Sequence, residues 1–441
     1  MAEEGTEDFA KRHVIYGSAG MAAAGMIPSA KKKPTEPEEE TEVEESGEPK
    51  EAAPPAEVPT QKEEPNPPVE APYQGVKAAV IGHTGSGDFG RGLDRAFQRI
   101  SGARLIALTD INTEKAEESQ IKSGAKSVYH TYQRMIKDES PDLVVIASSW
   151  SGERLPMAKE ALDSEANLFC EVPFTLTLKE ADEILAQANE KGLKVSVNHQ
   201  LRCDRNLVQF REQYPALIGD LLEMRVFGAM GDISGGEDLL STGLHLFDVV
   251  RWFAGEMNYC TASVLIEGET ALAEDAEDSE NGLGPILGDA IHAQFSTSSG
   301  VAVSFVSDNR FQTVSGAAGI EFIGTKAKAR LFADFPATLS VVIEDSGPDK
   351  ADRTETWQQW PETEGDYHPT IDKLNGLDAS NRLVLSDVIA SISENRTPVC
   401  SGENAMKALE MVHGVWQAAT TMKRAYFPLV NRLHPLSEDS Q

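Results

Sequence analysis

Residues 76–110 read VKAAVIGHTGSGDFGRGLDRAFQRISGARLIALTD, from Val76 to Asp110. A short apolar run, Val76–Ile81, predicts a buried strand. Glycines follow at 82, 85, 87, 90 and 92, then an amphipathic segment of helical pattern, then a second apolar run, Arg104–Thr109, which ends on Asp110. Strand, glycine-rich turn, helix and a strand closing on an acid are the marks of a βαβ unit that binds a dinucleotide. Glycines let the backbone turn tightly and approach a pyrophosphate, and a helix N-terminus offers it N–H donors and the positive end of a dipole. The aspartate accepts hydrogen bonds from the adenosine ribose. Two registers of the turn stay open: Gly82 as its first residue, or Gly85, Gly87 and Gly90 as the G-x-G-x-x-G. Gly82, Gly85, Gly87, Asp88, Phe89, Gly90 and Asp110 are therefore the candidate cofactor residues.

A chain of 441 residues is too long for one ordinary domain and predicts two domains with appendages. Its formal net charge of −31 speaks against a nucleic-acid partner, which would need clustered Lys and Arg. Four scattered cysteines (170, 203, 260 and 400) show neither C-x-x-C nor Cys/His spacing, so no metal site and no disulfide framework is expected. In residues 1–30, Lys11-Arg12 precedes a weak apolar stretch too short to span a membrane. Two readings stay open there: a twin-arginine-like signal, which would make the protein exported or periplasmic, and a cytoplasmic tail. Residues 31–73 are crowded with proline and glutamate and lack large apolar side chains, so they are expected to form a disordered linker.

From residue 74 to 200 strands and helices alternate. Asp142–Ser148, Asn167–Val172 and Lys194–Asn198 read as strands. Thr113–Lys122 reads as a helix capped by Thr113, Glu153–Leu162 as another, and Thr177–Lys191 as a third with Thr177 and Glu180 as a capping box. This predicts a doubly wound parallel α/β sheet of Rossmann type, with ligands at the carboxyl ends of its strands. From 201 to 436 the texture changes to runs of strands with segregated helices at Leu239–Phe253, Leu383–Glu394 and Asn404–Lys423, so an α+β domain with an open, largely antiparallel sheet is expected. Residues 437–441 are a tail. The open sheet face makes a homo-oligomer an expectation.

Two further stretches carry chemistry. Glu171-Val172-Pro173 ends a predicted strand, where ligands of such a sheet bind. Gly235-Gly236-Glu237-Asp238 leads into a helix on which His245 and Asp248 stand three residues apart, so the carboxylate is placed to orient the imidazole.

The glycine loop, the strand-borne Glu171-x-Pro173 and the Gly-Gly…Gly243-x-His245-x-x-Asp248 helix, in this order, resemble the Gfo/Idh/MocA oxidoreductase family over roughly residues 74–434. Asn-Arg-Leu-His-Pro-Leu at 431–436 lies at the edge of the likeness. The resemblance implies NAD(P) at the glycine loop, with Ser148, Glu171 and Pro173 beside it, a carbohydrate-like substrate between the domains, and hydride transfer between a secondary alcohol and nicotinamide. It also exposes departures. The family's Glu-Lys-Pro lysine is Val172 here, and the aspartate four residues before the histidine is Ser241. His245 is left as the family-type base, with Asp248 or Glu237 to orient it, and Asp238, Arg202 or Ser241 to hold substrate. Asp110 is followed by Ile111-Asn112 without a cation, which favours NAD over NADP. Three readings remain open: an oxidoreductase of sugars or polyols, a redox-neutral NAD-dependent glycosidase or lyase, and a pseudo-oxidoreductase that only binds nucleotide.

Overall fold

Aliphatic residues in direct succession make the first strand a central one: Ala78, Ala79, Val80 and Ile81 of β1 (Val76–Ile81) are fully buried. The computed structural model describes residues 74–437 apart from 83–84, 86–88, 149, 229–232, 234, 309–317, 335, 346–354 and 362–375. These residues belong to one compact unit, Ala71–Gln441. The expectations for residues 1–30, 31–73 and 438–441, and for Gly87 and Asp88, fall outside the described residues.

β1 pairs in parallel with β2 (Ala103–Thr109), which pairs with β3 (Ser127–Tyr129). On its other side β1 pairs with β4 (Leu143–Ile146), followed by β5 (Asn167–Cys170) and β6 (Val195–Val197). The order β3-β2-β1-β4-β5-β6 reverses direction between β1 and β4, and the carboxyl ends of those two strands frame the crevice. The covering helices are α1 (Phe89–Ala96), α2 (Thr113–Ser123), α3 (Tyr132–Glu139), α4 (Arg154–Asp163) and α5 (Leu178–Lys191).

After α6 (Arg205–Leu217) the chain builds a second sheet. Its members are β7 (Leu221–Phe227), β8 (Met257–Ile266), β9 (Glu269–Thr270), β12 (Ala290–Thr297), β13 (Ala302–Asp308), β14 (Gly319–Gly324), β15 (Lys328–Phe332), β16 (Thr338–Asp345), β17 (Glu355–Trp360) and β18 (Ala425–Tyr426). A separate small ribbon pairs β10 (Glu277–Asp278) with β11 (Pro285–Ile286). Within the ten-stranded sheet only β7 and β13 pair in parallel; the other pairs are antiparallel. Helices α7 (Gly235–Asp238), α8 (Leu244–Ala254) and α10 (Gly402–Thr421) belong with this sheet. Helix α9 (Gly376–Glu394) does not. Its Val384, Leu385, Val388 and Ile389 share a core with Val76, Ala78 and Val80 of β1 and Leu93 of α1. A helix encoded some 180 residues beyond position 200 thus covers one face of the first sheet.

Several local features follow the residue types. Glu180 N–H donates to Thr177 Oγ1 at 3.1 Å and Thr177 N–H to Glu180 Oε2 at 3.0 Å, the reciprocal box expected at the start of α5. The cap of α2 differs from the expectation by one position. Asn112 accepts from Lys115 N–H at 3.2 Å, while the Thr113 hydroxyl faces His130 Nδ1 at 3.3 Å. Helices α3 and α6 and strands β3, β15 and β17 add to the predicted elements. Helix α1 opens with a turn of the opposite hand: Phe89, Gly90, Arg91 and Gly92 have φ of 47°, 61°, 55° and 106°. The right-handed helix begins only after Gly92, so the expected pairing of glycine turn and helix N-terminus is offset by one left-handed turn. The stretch expected as one helix over Leu239–Phe253 contains a π-helical turn, Leu239–Gly243, between α7 and α8.

Candidate active site

At the carboxyl edge of the first sheet, Gly82 follows β1 directly and its N–H donates to Thr109 O at 2.8 Å. Asp110, at the end of β2, is buried; its Oδ1 accepts from Asn112 N–H at 2.9 Å, and its Oδ2 is sealed without a partner. A Cβ added to Gly82 would lie 2.4 Å from that Oδ2. A carboxylate oxygen held out of water beside a glycine is what a ribose diol requires, and a side chain at 82 would fill the cradle. Gly85, with φ of 73°, packs against Ile111.

One edge further along, Arg154 ties strand ends together. It donates to the carbonyls of Ser148, after β4, and Glu171, after β5, and is completely buried. Ser148 Oγ accepts from Trp150 N–H at 3.1 Å. Glu171 Oε2 accepts from Val172 N–H at 2.9 Å and Oε1 from Asn198 Nδ2 at 2.8 Å. Burial holds the Glu171 carboxyl above its usual range against these donors. Asn198 Nδ2 also reaches Asn381 Oδ1 on α9 at 3.0 Å, and Gln200 Nε2 meets the same oxygen at 3.0 Å. Pro173 follows in the buried strand-end turn, and Val172 packs into the hydrophobic core with Phe174.

His245 enters from the second domain at the start of α8. Its ring meets that of His199 edge to face, with centroids 5.3 Å apart. Burial, then His199, push the imidazole down to about 3, with Arg91 adding to the effect and Asp248 opposing it. Burial also lowers His199, so both rings are neutral near pH 7. Arg91 also lowers Glu171, so the charge of the left-handed glycine turn acts on both groups.

The expected orienters of His245 are engaged elsewhere. Asp248 Oδ2 accepts from Arg202 Nε at 2.5 Å, and Arg202 Nη2 donates to the Asp248 carbonyl at 3.1 Å. His245 Nδ1 is buried and has no hydrogen-bond partner, so Asp248 acts on the ring through its field alone. Arg202, expected to hold substrate, is a buried partner of Asp248 and lies over the Trp252 ring. Glu237 accepts from Ser279 Oγ at 3.0 Å and Asn281 Nδ2 at 2.6 Å, fixing the loop beyond β10 rather than the imidazole. The Ser241 hydroxyl turns back to the carbonyls of Glu237 (2.9 Å) and Asp238 (3.3 Å). Asp238 is fully buried, its carboxylate against Gly228 at the end of β7, not at the surface of the cleft. Among the described residues no group of three or more His, Cys, Asp or Glu side chains is set to hold a metal.

Sequence reasoning passed over Arg154, Asn198, His199 and Asn381. Arg154 left one signal: a basic residue in the first turn of α4 stands at the wrong end of the dipole, which marks a partner outside the helix.

Two family models match the chain. One, described as an oxidoreductase family with an NAD-binding Rossmann fold, covers residues 76–199. The other, the C-terminal alpha/beta domain of the same oxidoreductase family, covers residues 228–426. The chain belongs to the Gfo/Idh/MocA family. Among its Gfo/Idh/MocA relatives is the myo-inositol 2-dehydrogenase of Thermotoga maritima, 24% identical over 285 residues, 62% of this chain and 80% of that protein. The D-apiose dehydrogenase of Paraburkholderia graminis is 25% identical over 45% of this chain and 55% of its own length. Glycosyl hydrolase family 109 protein 2 of Shewanella sp. is 34% identical over 117 residues, 24% of this chain and 25% of that protein. The fold is shared with levoglucosan dehydrogenase in complex with NADH and levoglucosan, at a TM-score of 0.64 and 15% identity over 81% of this chain and all of that one. An Agrobacterium radiobacter oxidoreductase in complex with NAD+, L-tartaric acid and magnesium aligns at 0.60 and 16% identity, over 80% of this chain and 98% of its own. Among the described residues no helix is long and apolar enough to cross a membrane.

Proposed function

We propose that the protein is an NAD-dependent oxidoreductase acting on a secondary alcohol of a sugar, polyol or derivative, with His245 accepting the hydroxyl proton. The observation that carries this reading is the edge-to-face meeting of a neutral histidine from the second domain with His199, which follows the Asn198 that binds Glu171 at the carboxyl edge of the first sheet. The partnerless Asp110 Oδ2 beside Gly82 fits the adenosine ribose of NAD. Gly82, Gly85, Gly87, Asp88, Phe89 and Gly90 would follow its pyrophosphate, with Ser148, Glu171 and Pro173 toward the nicotinamide. Asp110 would repel a 2′-phosphate, and Ile111-Asn112 supply no compensating cation, so NAD is preferred to NADP. When bound, the cofactor supplies a hydride acceptor.

The chain's own part is to hold the alcohol and take its proton. A neutral imidazole accepts a hydrogen bond from a hydroxyl, and burial keeps this one neutral near pH 7. Valine at 172 leaves out one positioned proton-transfer group, which predicts turnover slower by roughly 10²–10⁴ than with that group in place. A second, redox-neutral reading, NAD-dependent elimination of a leaving group, draws support from the likeness to a glycosyl hydrolase family 109 protein over 117 residues. We also propose a homo-oligomer through the open face of the second sheet, where Arg225 of β7 is exposed; a monomer by light scattering would refute it.

The deciding experiment incubates the protein with NAD and a panel of polyols, sugars and aryl glycosides. NADH formation supports the first reading, and leaving-group release with no net NADH supports the second. Tight NAD binding with neither product would leave a nucleotide-binding protein without catalysis.

A further inference from the structure

Outside the candidate active site, two thiols distant in sequence lie in contact. Cys203 Sγ and Cys400 Sγ are 3.7 Å apart, a hydrogen-bonding distance for two thiols, and both are free. Cys203 ends the short 3-10 turn Gln200–Cys203, which also carries Arg202. Cys400 lies between α9 and α10, where its carbonyl accepts from Val197 N–H at 2.9 Å and Ser196 Oγ at 2.8 Å. Its own thiol donates to the carbonyl of His199 at 3.3 Å.

We propose that Cys203 and Cys400 are an oxidisable dithiol, a modification site at which a peroxide or a low-molecular-weight disulfide converts the pair into a bond joining the domain connector to the α9–α10 junction. The half-buried Cys203 is the first point of attack, since Cys400 is only 1% exposed. With hydrogen peroxide the Cys203 thiolate forms an S–O bond, the O–O bond breaks and hydroxide leaves. Cys400 Sγ then forms the S–S bond, the S–O bond breaks, and the departing hydroxide takes the Cys400 proton as water. Two electrons pass from the thiols to the peroxide. The hydrogen bond with Cys203, followed by burial, holds the Cys400 thiol well above the usual range, so it is not the thiol that meets the peroxide first. The other two cysteines are isolated and buried, and burial pushes Cys170 up to about 11 and Cys260 up to about 12. They serve as internal controls.

The consequence falls on the site's frame. Bond formation removes the donor to the His199 carbonyl and staples the turn that carries Gln200 and Arg202 to the segment following α9.

The test is independent of any catalytic activity. Native protein is treated with hydrogen peroxide or, separately, glutathione disulfide, then alkylated and digested with trypsin without reductant. The expected product joins the peptide Cys203–Arg205 to Thr397–Lys407, and dithiothreitol separates them. Cys170 and Cys260 should remain as thiols. The oxidised wild type should melt at a higher temperature than the reduced form, while Cys203→Ser shows no such change. Recovery of Cys203 as a sulfinic acid or stable glutathione adduct, with Cys400 still a thiol, would overturn the proposal. So would an oxidised form that melts at a lower temperature, since the native geometry would then reject the bond.

Discussion

Burial pushes His245 down to about 3, and this fixes what its titration does. In the proposed reaction the imidazole is already in its accepting form from about pH 4 upward, so the rate should show no limb from His245 between pH 5 and 8. A kcat profile with an acid limb near 6.5 that vanishes in His245→Gln would refute this. His245→Ala should lower kcat by roughly 10²–10⁴ and leave NAD affinity unchanged, as calorimetry can check. Asp110→Ala should weaken NAD by about 1.5–3 kcal/mol, roughly ten- to a hundredfold, because a charged acceptor for the ribose is lost. Single residues were partly legible: Asp110, Glu171 and His245 stood out through their place after a strand or on a helix. Their partners did not. Asn198 reaches Glu171 across 27 residues and Asn381 across 183, separations that leave no local spacing to read. The role of Asp248 was misread for the same reason, because its partner Arg202 lies 46 residues away.

Elements with strong local signals matched their sequences closely. β1 spans Val76–Ile81 as its apolar run predicts, and α5 starts at its capping box. Thr177→Ala should therefore cost about 1 kcal/mol in denaturant unfolding, with little change in the slope. Legibility fails where a local signal is weak or the backbone departs from a regular period. α6 has a proline at 215, and β3 has three residues. The π-helical turn at Leu239–Gly243 inserts a residue into what reads as one helix, so seven-residue spacing from Asp238 no longer brings His245 to the same face. Gly82→Ala is the corresponding test in the loop: its Cβ would lie 2.4 Å from Asp110 Oδ2 and 2.9 Å from the Phe89 ring. NAD binding should be lost while far-ultraviolet circular dichroism is retained.

At the scale of the molecule, four histidines are held neutral by burial: His199, His245, His413 and His434. In the unfolded chain each takes up a proton near pH 6.5, so below that pH the unfolded state binds more protons and stability falls. His434, lowered to about 4, contributes a loss of about 1.5 kcal/mol between pH 6.5 and 5. Buried carboxyls raised in the fold, such as Glu171 and Asp204, act in the opposite direction as pH falls toward the ordinary carboxylate range. A variant isolates the histidine effect: His434→Asn should show a smaller drop in melting temperature from pH 7 to 5 than wild type. The two-sheet architecture was legible from alternating and then segregated elements, but not the return of α9 to the first sheet. That return has a consequence for how the chain is made. A fragment of residues 74–200 alone would leave the β1 core face open where Val384, Leu385 and Val388 belong, and should be insoluble. On the ribosome the sheet that is synthesised first waits for nearly two hundred further residues before its last covering helix arrives. The nucleotide-binding domain, made before the second sheet, is thus among the last parts to mature.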